Sequence, residues 1–312
     1  MSIANLTRRD VTGEFYKTLE QSLGASWIEA LSMKFNSDQD SETYNWIGQS
    51  PAMREWVGGR QAKGFREDGF TVQNKHFEAT IGILIKELRR DKSGQAMVRI
   101  RNLAERANAH WASLLSAKIA AGESTTCYDG QFFFDTDHEE GDSGAQDNDI
   151  SIDISTLPAS VHGSTTAPSV EEFQQVTVQG IQAILGFKDD RGEPMNELAQ
   201  NFLVMVPTSL WITASQAFKV PVGTDIQSLV PANLNISVVT NARLTWTDRF
   251  PIFRTDGSAS ALIRQQETDV NLLMKWLDSE YAFDNDAVQV GVDAWRNVDY
   301  GFWQNACLAT MT

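Results

Sequence analysis

Cysteine is nearly absent: Cys127 and Cys307 are the only two in 312 residues, 180 positions apart. That spacing makes neither a disulfide framework nor a metal knuckle. Long apolar runs are missing as well. The best candidate, Phe202 to Val206, has the length of a buried strand and falls far short of the ~18–20 residues that span a bilayer. The basic pair Arg8–Arg9 is not followed by the apolar core of a signal peptide, so the chain is expected to be made, and to work or assemble, in a cytoplasm. Only 8 Pro and 21 Gly exclude a collagen-like or linker-dominated chain. No Walker phosphate loop, dinucleotide fingerprint or Gly-x-Ser-x-Gly elbow occurs, which removes the commonest enzyme signatures. Basic residues are missing from one long stretch: no Lys or Arg lies between Lys118 and Lys188, while 12 acidic residues do.

What is there has the make-up of a folded globular protein, at 42% hydrophobic, 10% aromatic and 21% charged. The net charge of −15 is unevenly placed: residues 1–122 carry +3 and residues 123–312 carry −18. So acidic a molecule repels a phosphate backbone, which disfavours tight duplex binding. Two parts of opposite sign can instead attract one another between copies of the same chain.

Along the chain, Phe15, Leu19, Leu23, Trp27 and Leu31 step by four, predicting helix over 10–35 with a start near Thr12. Residues 1–44 read as an arm with too little apolar surface to form a core. Residues 45–68 mix Trp46, Trp56, four glycines and four basic side chains without periodicity, the pattern of an excursion whose aromatics pack on another subunit. Alternation over 70–83 predicts a strand, with a phase change near Asn74. Residues 95–121 read as one helix about 40 Å long, with a stripe from Met97 through Ile100, Ala104, Ala107, Trp111 and Leu114 to Lys118, closed by Gly122. Residues 125–138 read as a strand-like run around an Asp129–Gly130 turn. A helix follows over 170–188, a buried strand over 201–206 and a short helix over 208–219. Strands are then expected within 234–254 and over 286–309. One long helix with scattered strands, none in β-α-β order, predicts an α+β fold.

Several of these segments together resemble the major head (capsid) subunits of Mu-like phages and prophages. They are Tyr44-Asn45-Trp46-Ile47-Gly48, PAMREWVGGR (51–60), GFTVQNKHFEATIGI (69–83) and DYGFWQNA (299–306). The most specific is CYDGQFFFDTDH (127–138), just after the long helix, although Glu139 stands where family members often have proline. The resemblance implies the HK97-type phage capsid fold. Its parts map here as an N-terminal arm (1–44), an extended loop (45–92), a peripheral domain (93–155 and 245–312, with a spine helix at 95–121) and an axial domain (156–244).

By implication the protein is a structural subunit rather than an enzyme, without cofactor or metal. It self-assembles into pentamers and hexamers of an icosahedral head and ends in the virion. It encloses double-stranded DNA without specific binding and meets a portal, a scaffold and a maturation protease during assembly in the host cytoplasm, with no membrane partner. No long prefix precedes the arm, so removal of a large N-terminal segment is not expected. The intersubunit contact candidates are Trp46, Arg54, Trp56, Arg60, Lys63, Phe65 and Arg66. An encapsulin-like compartment is the alternative in the same architecture, and a hydrolase using the acidic cluster around Asp135 with His138 is the alternative outside it. Asp135, Asp137 and His138 match neither an EF-hand loop nor zinc-ligand spacing and read as a structural turn.

Overall fold

The computed structural model describes residues 6–21, 25–45, 70–90, 94–218 and 233–312. Helix α1 (Arg8–Gln21) starts at a reciprocal cap. Asp10 donates its main-chain N–H to Thr7 Oγ1 at 3.2 Å, and Thr7 donates its own to the Asp10 carboxylate at 3.0 Å. The start therefore precedes the expected Thr12. Helix α2 (Trp27–Leu31) runs directly into strand β1 (Ser32–Asn36), where periodicity predicts continued helix. Parallel pairing of Ser32–Asn36 with Leu262–Gln266, distant in sequence, overrides the local preference. Val11, Phe15, Trp27, Ile28 and Leu31 are all buried by the rest of the chain. Residues 1–44 thus contribute their apolar side chains to clusters shared with the rest of the chain.

Strands β2 (Ser41–Tyr44) and β3 (Phe70–Gln73) pair antiparallel, and β4 (Lys75–Leu84) follows after Asn74, where the phase change predicts a break. After α3 (Ile85–Arg90) come α4 (Gln95–Asn108) and α5 (His110–Ala120) in place of the single predicted helix. The break is slight: Ala109 donates to Glu105 O, and Ser113 donates to Ala109 O, as in a helix. What changes is the partner. Ile100, Leu103 and Ala104 enter one apolar cluster, and Leu115 and Ile119 enter another. The buried stripe is offset from the predicted one, so Lys118 lies beside the core and pairs with Asp299 at 2.7 Å. Residues 125–138 form turns with isolated bridges, Thr126 to Phe132 and His138 to Gln146, rather than a strand.

Strand β5 (Asp149–Ile152) leads to α6 (Val170–Gly186). A capping box starts α6, with Ser169 Oγ accepting from Glu172 N–H and the Glu172 carboxylate from Ser169 N–H. Strand β6 (Asn201–Val206) ends before Pro207, as predicted, and α7 (Trp211–Phe218) and β7 (Asn235–Thr240) follow. The rest comprises β8 (Arg249–Arg254), β9 (Leu262–Gln266), β10 (Asn271–Lys275), α8 (Glu280–Asn285), β11 (Ala287–Tyr300) and β12 (Ala306–Met311).

One sheet has the order β1-β9-β11-β10, with β4 along the other edge of β11; the second has the order β5-β12-β8-β6-β7. Strands β6 and β7 are parallel and joined through α7, a β-α-β unit the sequence does not announce within an α+β fold. The larger apolar core lies around the second sheet with α2, α5 and α6. A smaller one lies between α1, α4 and the β4–β11 pair. Strand β11 and the α4–α5 rod both run from one core into the other. Among the described residues no helix is long and apolar enough to cross a membrane.

Gly122, expected as a helix stop, acts differently. The helix ends in right-handed backbone at Ala121, and a Cβ on Gly122 would stand 2.4 Å from Cδ2 of the buried Phe134 ring. Gly122→Ala therefore overpacks this contact and should cost about 1–3 kcal/mol. Equilibrium urea unfolding of the dispersed subunit checks this, and an unchanged midpoint would contradict the packing argument.

Candidate assembly surfaces

The seven contact candidates, Trp46, Arg54, Trp56, Arg60, Lys63, Phe65 and Arg66, lie outside the described residues. The structure does describe the residues that flank that segment in sequence. The β2–β3 ladder ends in the pair Tyr44–Phe70 and packs on one face of β9 through Tyr44, Val72, Ile263 and Phe302. A polar tie fixes it there. Tyr44 donates its hydroxyl to Gln265 Oε1 at 2.8 Å, and Gln265 Nε2 donates to Val72 O at 3.1 Å and to Asn74 Oδ1 at 2.9 Å. Asn74 Nδ2 continues the tie to Gln39 O at 2.7 Å. All polar groups of the buried Gln265 side chain are thereby engaged, which fixes the β2–β3 ladder on β9. Sequence reasoning missed Gln265 because a glutamine within a strand has no pattern of its own.

The signature loop 127–138 is shaped by a buried latch. Asp129 accepts from His138 Nδ1 at 2.7 Å, from Cys127 Sγ at 3.0 Å and from Gln131 N–H at 3.1 Å. The His138 ring, fully buried, stacks on Trp303 with centroids 4.0 Å apart. Burial alone would raise the Asp129 carboxyl, but the hydrogen bonds from His138 and Cys127 hold it below the usual carboxylate range. Burial, together with the nearby Asp129, pushes the Cys127 thiol far up, so it stays protonated. Cys127, Asp129 and His138 offer ligand atoms within 4.8 Å of one another, a donor set that zinc accepts. Here those atoms are engaged with each other at hydrogen-bond distance, which fits a latch better than a metal cradle. The sequence groups His138 with Asp135 and Asp137, whereas the fold gives it to Asp129. Asp135 instead accepts from Phe132 N–H and Thr136 N–H, as a turn-former does.

Among the described residues the acidic stretch around Asp147 and Asp149 has no ion pair of its own. Burial first, then Glu123 and Asp147, push the Asp149 carboxyl up to about 6. Arg249, which opposes this, is already paired with Glu123 and Asp248. Burial likewise raises Asp147. An edge strand bordered by Asp147 and Asp149, which have no ion pair among the described residues, is a surface suited to a cationic segment.

Comparison with known proteins agrees with this architecture. Residues 5–156 match the sequence profile of the family described as Mu-like prophage major head subunit gpT. The chain is 34% identical over 142 residues to the Mu-like prophage FluMu major head subunit of Haemophilus influenzae, covering 42% of this chain and 46% of that protein. It is 33% identical over 113 residues to the major capsid protein of Escherichia phage Mu, covering 36% and 37% respectively. These matches thus span less than half the length of either relative. A chain from the procapsid of bacteriophage JBD30 superposes with a TM-score of 0.56 at 22% identity, covering 98% of this chain and 77% of that one. The resemblance to Mu-like major head subunits is therefore borne out over residues 5–156, and the phage-capsid fold over nearly the whole chain.

Two substitutions test the electrostatics. Asp129→Asn removes the charged acceptor of the latch and should cost about 2 kcal/mol at neutral pH. A depressed carboxyl stabilises the fold above its unfolded value, and that contribution is lost as pH falls through the folded one. The gap between wild type and variant should therefore narrow below pH ~4 in unfolding titrations. Asp149 has the opposite sign, because its raised value penalises the ionised folded form above pH about 6. Asp149→Asn should stabilise the dispersed subunit at pH ~7.5 by about 1 kcal/mol, discounted for partial exposure, and by nothing below pH ~4.

Proposed function

We propose that this chain is the major capsid protein of a Mu-like tailed phage or prophage, a structural subunit that builds the icosahedral head and remains in the virion. One conjunction carries the proposal: a Mu-like head-subunit sequence over residues 5–156 lies in a chain that superposes on a phage procapsid protein over 98% of its length. An encapsulin-like compartment shares the fold but not the sequence relatives, and a hydrolase shares neither.

In this reading residues 1–44 are the arm, 45–92 the extended loop, 93–155 with 245–312 the peripheral domain and 156–244 the axial domain. The chain has no catalytic role. Copies associate into pentamers and hexamers around double-stranded DNA, assembled in the host cytoplasm with a portal, a scaffold and a maturation protease. Icosahedral shells use one surface in several surroundings, so contacts must be weak singly and strong in number. Trp46, Trp56 and Phe65 supply apolar anchors on neighbouring copies. Arg54, Arg60, Lys63 and Arg66 meet the acidic surface near Asp147 and Asp149. Each exposed pair contributes at most ~1 kcal/mol, yet repetition makes assembly depend on salt.

Electron microscopy of the concentrated protein, alone and with a scaffold protein, tests the proposal. Closed shells or capsomers are expected. A chain that stays monomeric under both conditions would overturn it. The double reversal Arg60→Glu with Lys63→Glu should lower the assembled fraction by about tenfold at physiological salt, the effect of roughly 1.4 kcal/mol.

A further inference from the structure

Where the two cores meet, the chain leaves a cavity of about 160 Å³ between the α4–α5 junction and the β4–β11 pair. Phe77, Leu103 and Val292 supply apolar walls, and Arg106, His110 and Arg296 supply the polar groups. Arg296 is 3% exposed, and its Nε–H is buried without a hydrogen-bond partner. Two acidic residues border the cavity, Glu78 and Asp293, but the ladder turns their side chains away. In the antiparallel register Phe77 faces Ala294, Ala79 faces Val292 and Glu78 faces Asp293. Side chains alternate along each strand, so the last pair lies on the opposite sheet face, where Asp293 meets His76.

The neighbouring arginine provides a contrast. Arg264 and Arg296 both lie over the Trp111 ring, with guanidinium carbons 5.7 and 4.7 Å from its centroid. Arg264 has the Glu29 carboxylate 2.7 Å away. Among the described residues Arg296 has no ion-pair partner; the acid acting on it from nearby, Asp269, is exposed and bound by Gln266. Burial, then Arg296 and Arg243, push His110 down to about 4, so it is neutral at physiological pH. The cavity therefore presents the buried guanidinium of Arg296 and, at its exposed rim, Arg106, and among the described residues no carboxylate is directed into it.

We infer that this cavity is an oxyanion site, taking a carboxylate or phosphate group on Arg296 and Arg106 with its apolar side against Phe77 and Val292. Guanidinium groups bind both kinds of oxyanion in the same forked geometry. The anion can be free in solution or be an acidic side chain of a second copy. The binding itself is a property of the single subunit and does not rest on the shell reading.

The test is calorimetric titration of the dispersed wild-type subunit with inorganic phosphate and with succinate, against sodium chloride at matched ionic strength. Saturable one-site binding of at least one anion above the chloride control is expected. Arg106→Gln, at an exposed position that does not threaten folding, should weaken it several-fold. Arg296→Met, which replaces an unpaired buried charge by a side chain of similar length, should weaken it by about tenfold or more, the worth of one charged hydrogen bond. No saturable binding to the wild type, or wild-type binding by both folded variants, overturns the inference. The same titration on assembled particles separates the sources. Lost binding there identifies a neighbour's carboxylate as the resident group, and retained binding identifies the free anion. If no particles form, the capsid reading fails while the subunit titration still decides the site.

Discussion

A single strand holds the molecule together. Strand β11 runs for 14 residues and is paired along both edges, by β4 on one side and by β10 and then β9 on the other. Its alternation is unbroken, so every second side chain must face the helices. Val288, Val290 and Val292 meet the smaller core, and Val298 and Tyr300 meet the larger. Burial of each such side chain stabilises by roughly 1.5–3 kcal/mol, and a shift of one residue would turn the whole set outward. Register in this sheet is therefore not negotiable. Arg296 keeps the alternation but not the polarity, and it falls at the seam between the cores, opposite the point where α4 gives way to α5.

The same sheet explains how the β2–β3 ladder is held on a buried strand. Strand β9 is covered on both faces, with Leu262 in the larger core and Ile263 in the cluster under Tyr44 and Val72. A strand covered twice needs either apolar residues throughout or polar ones with full partners. β9 takes the second course at Gln265, whose amide ties β2, β3 and the Asn74 break into one unit. The β2–β3 ladder is thus fixed on β9 by hydrogen bonds as well as by apolar contact.

Local patterns made much of this readable and non-local ones hid the rest. The Asn74 phase change, the strand that stops at Pro207 and the helix after Ser169 each depend on neighbours within a few residues. By contrast, β1 is a strand only because β9 lies beside it, and β9 escapes notice because Arg264, Gln265 and Gln266 are polar yet buried. The helix break at Ala109 has no proline or glycine to mark it; it follows from the rod serving two cores. The Asp129–His138 latch spans nine residues across a turn, a separation that no helical or strand period brings together. The resemblance to capsid subunits supplied the architecture, but the contacts that hold it had to be seen in three dimensions.

Charge completes the picture. On the proposed reading, a lone subunit has to remain soluble while keeping surfaces that other copies can use. Asp149 beside Glu123 and Asp147, and Arg296 without a carboxylate, are unresolved charges of opposite sign on separate parts of one chain. They do not neutralise each other within the fold, because β11 and β5 belong to different sheets. Screening reduces exposed charges to short range, about 8 Å at physiological salt, so long-distance attraction between the halves would do little. Opposite charges that cannot meet inside one molecule, and scarcely act at a distance, contribute only when another group is placed against them. That is the electrostatic condition which the proposed shell subunit would meet through its neighbours.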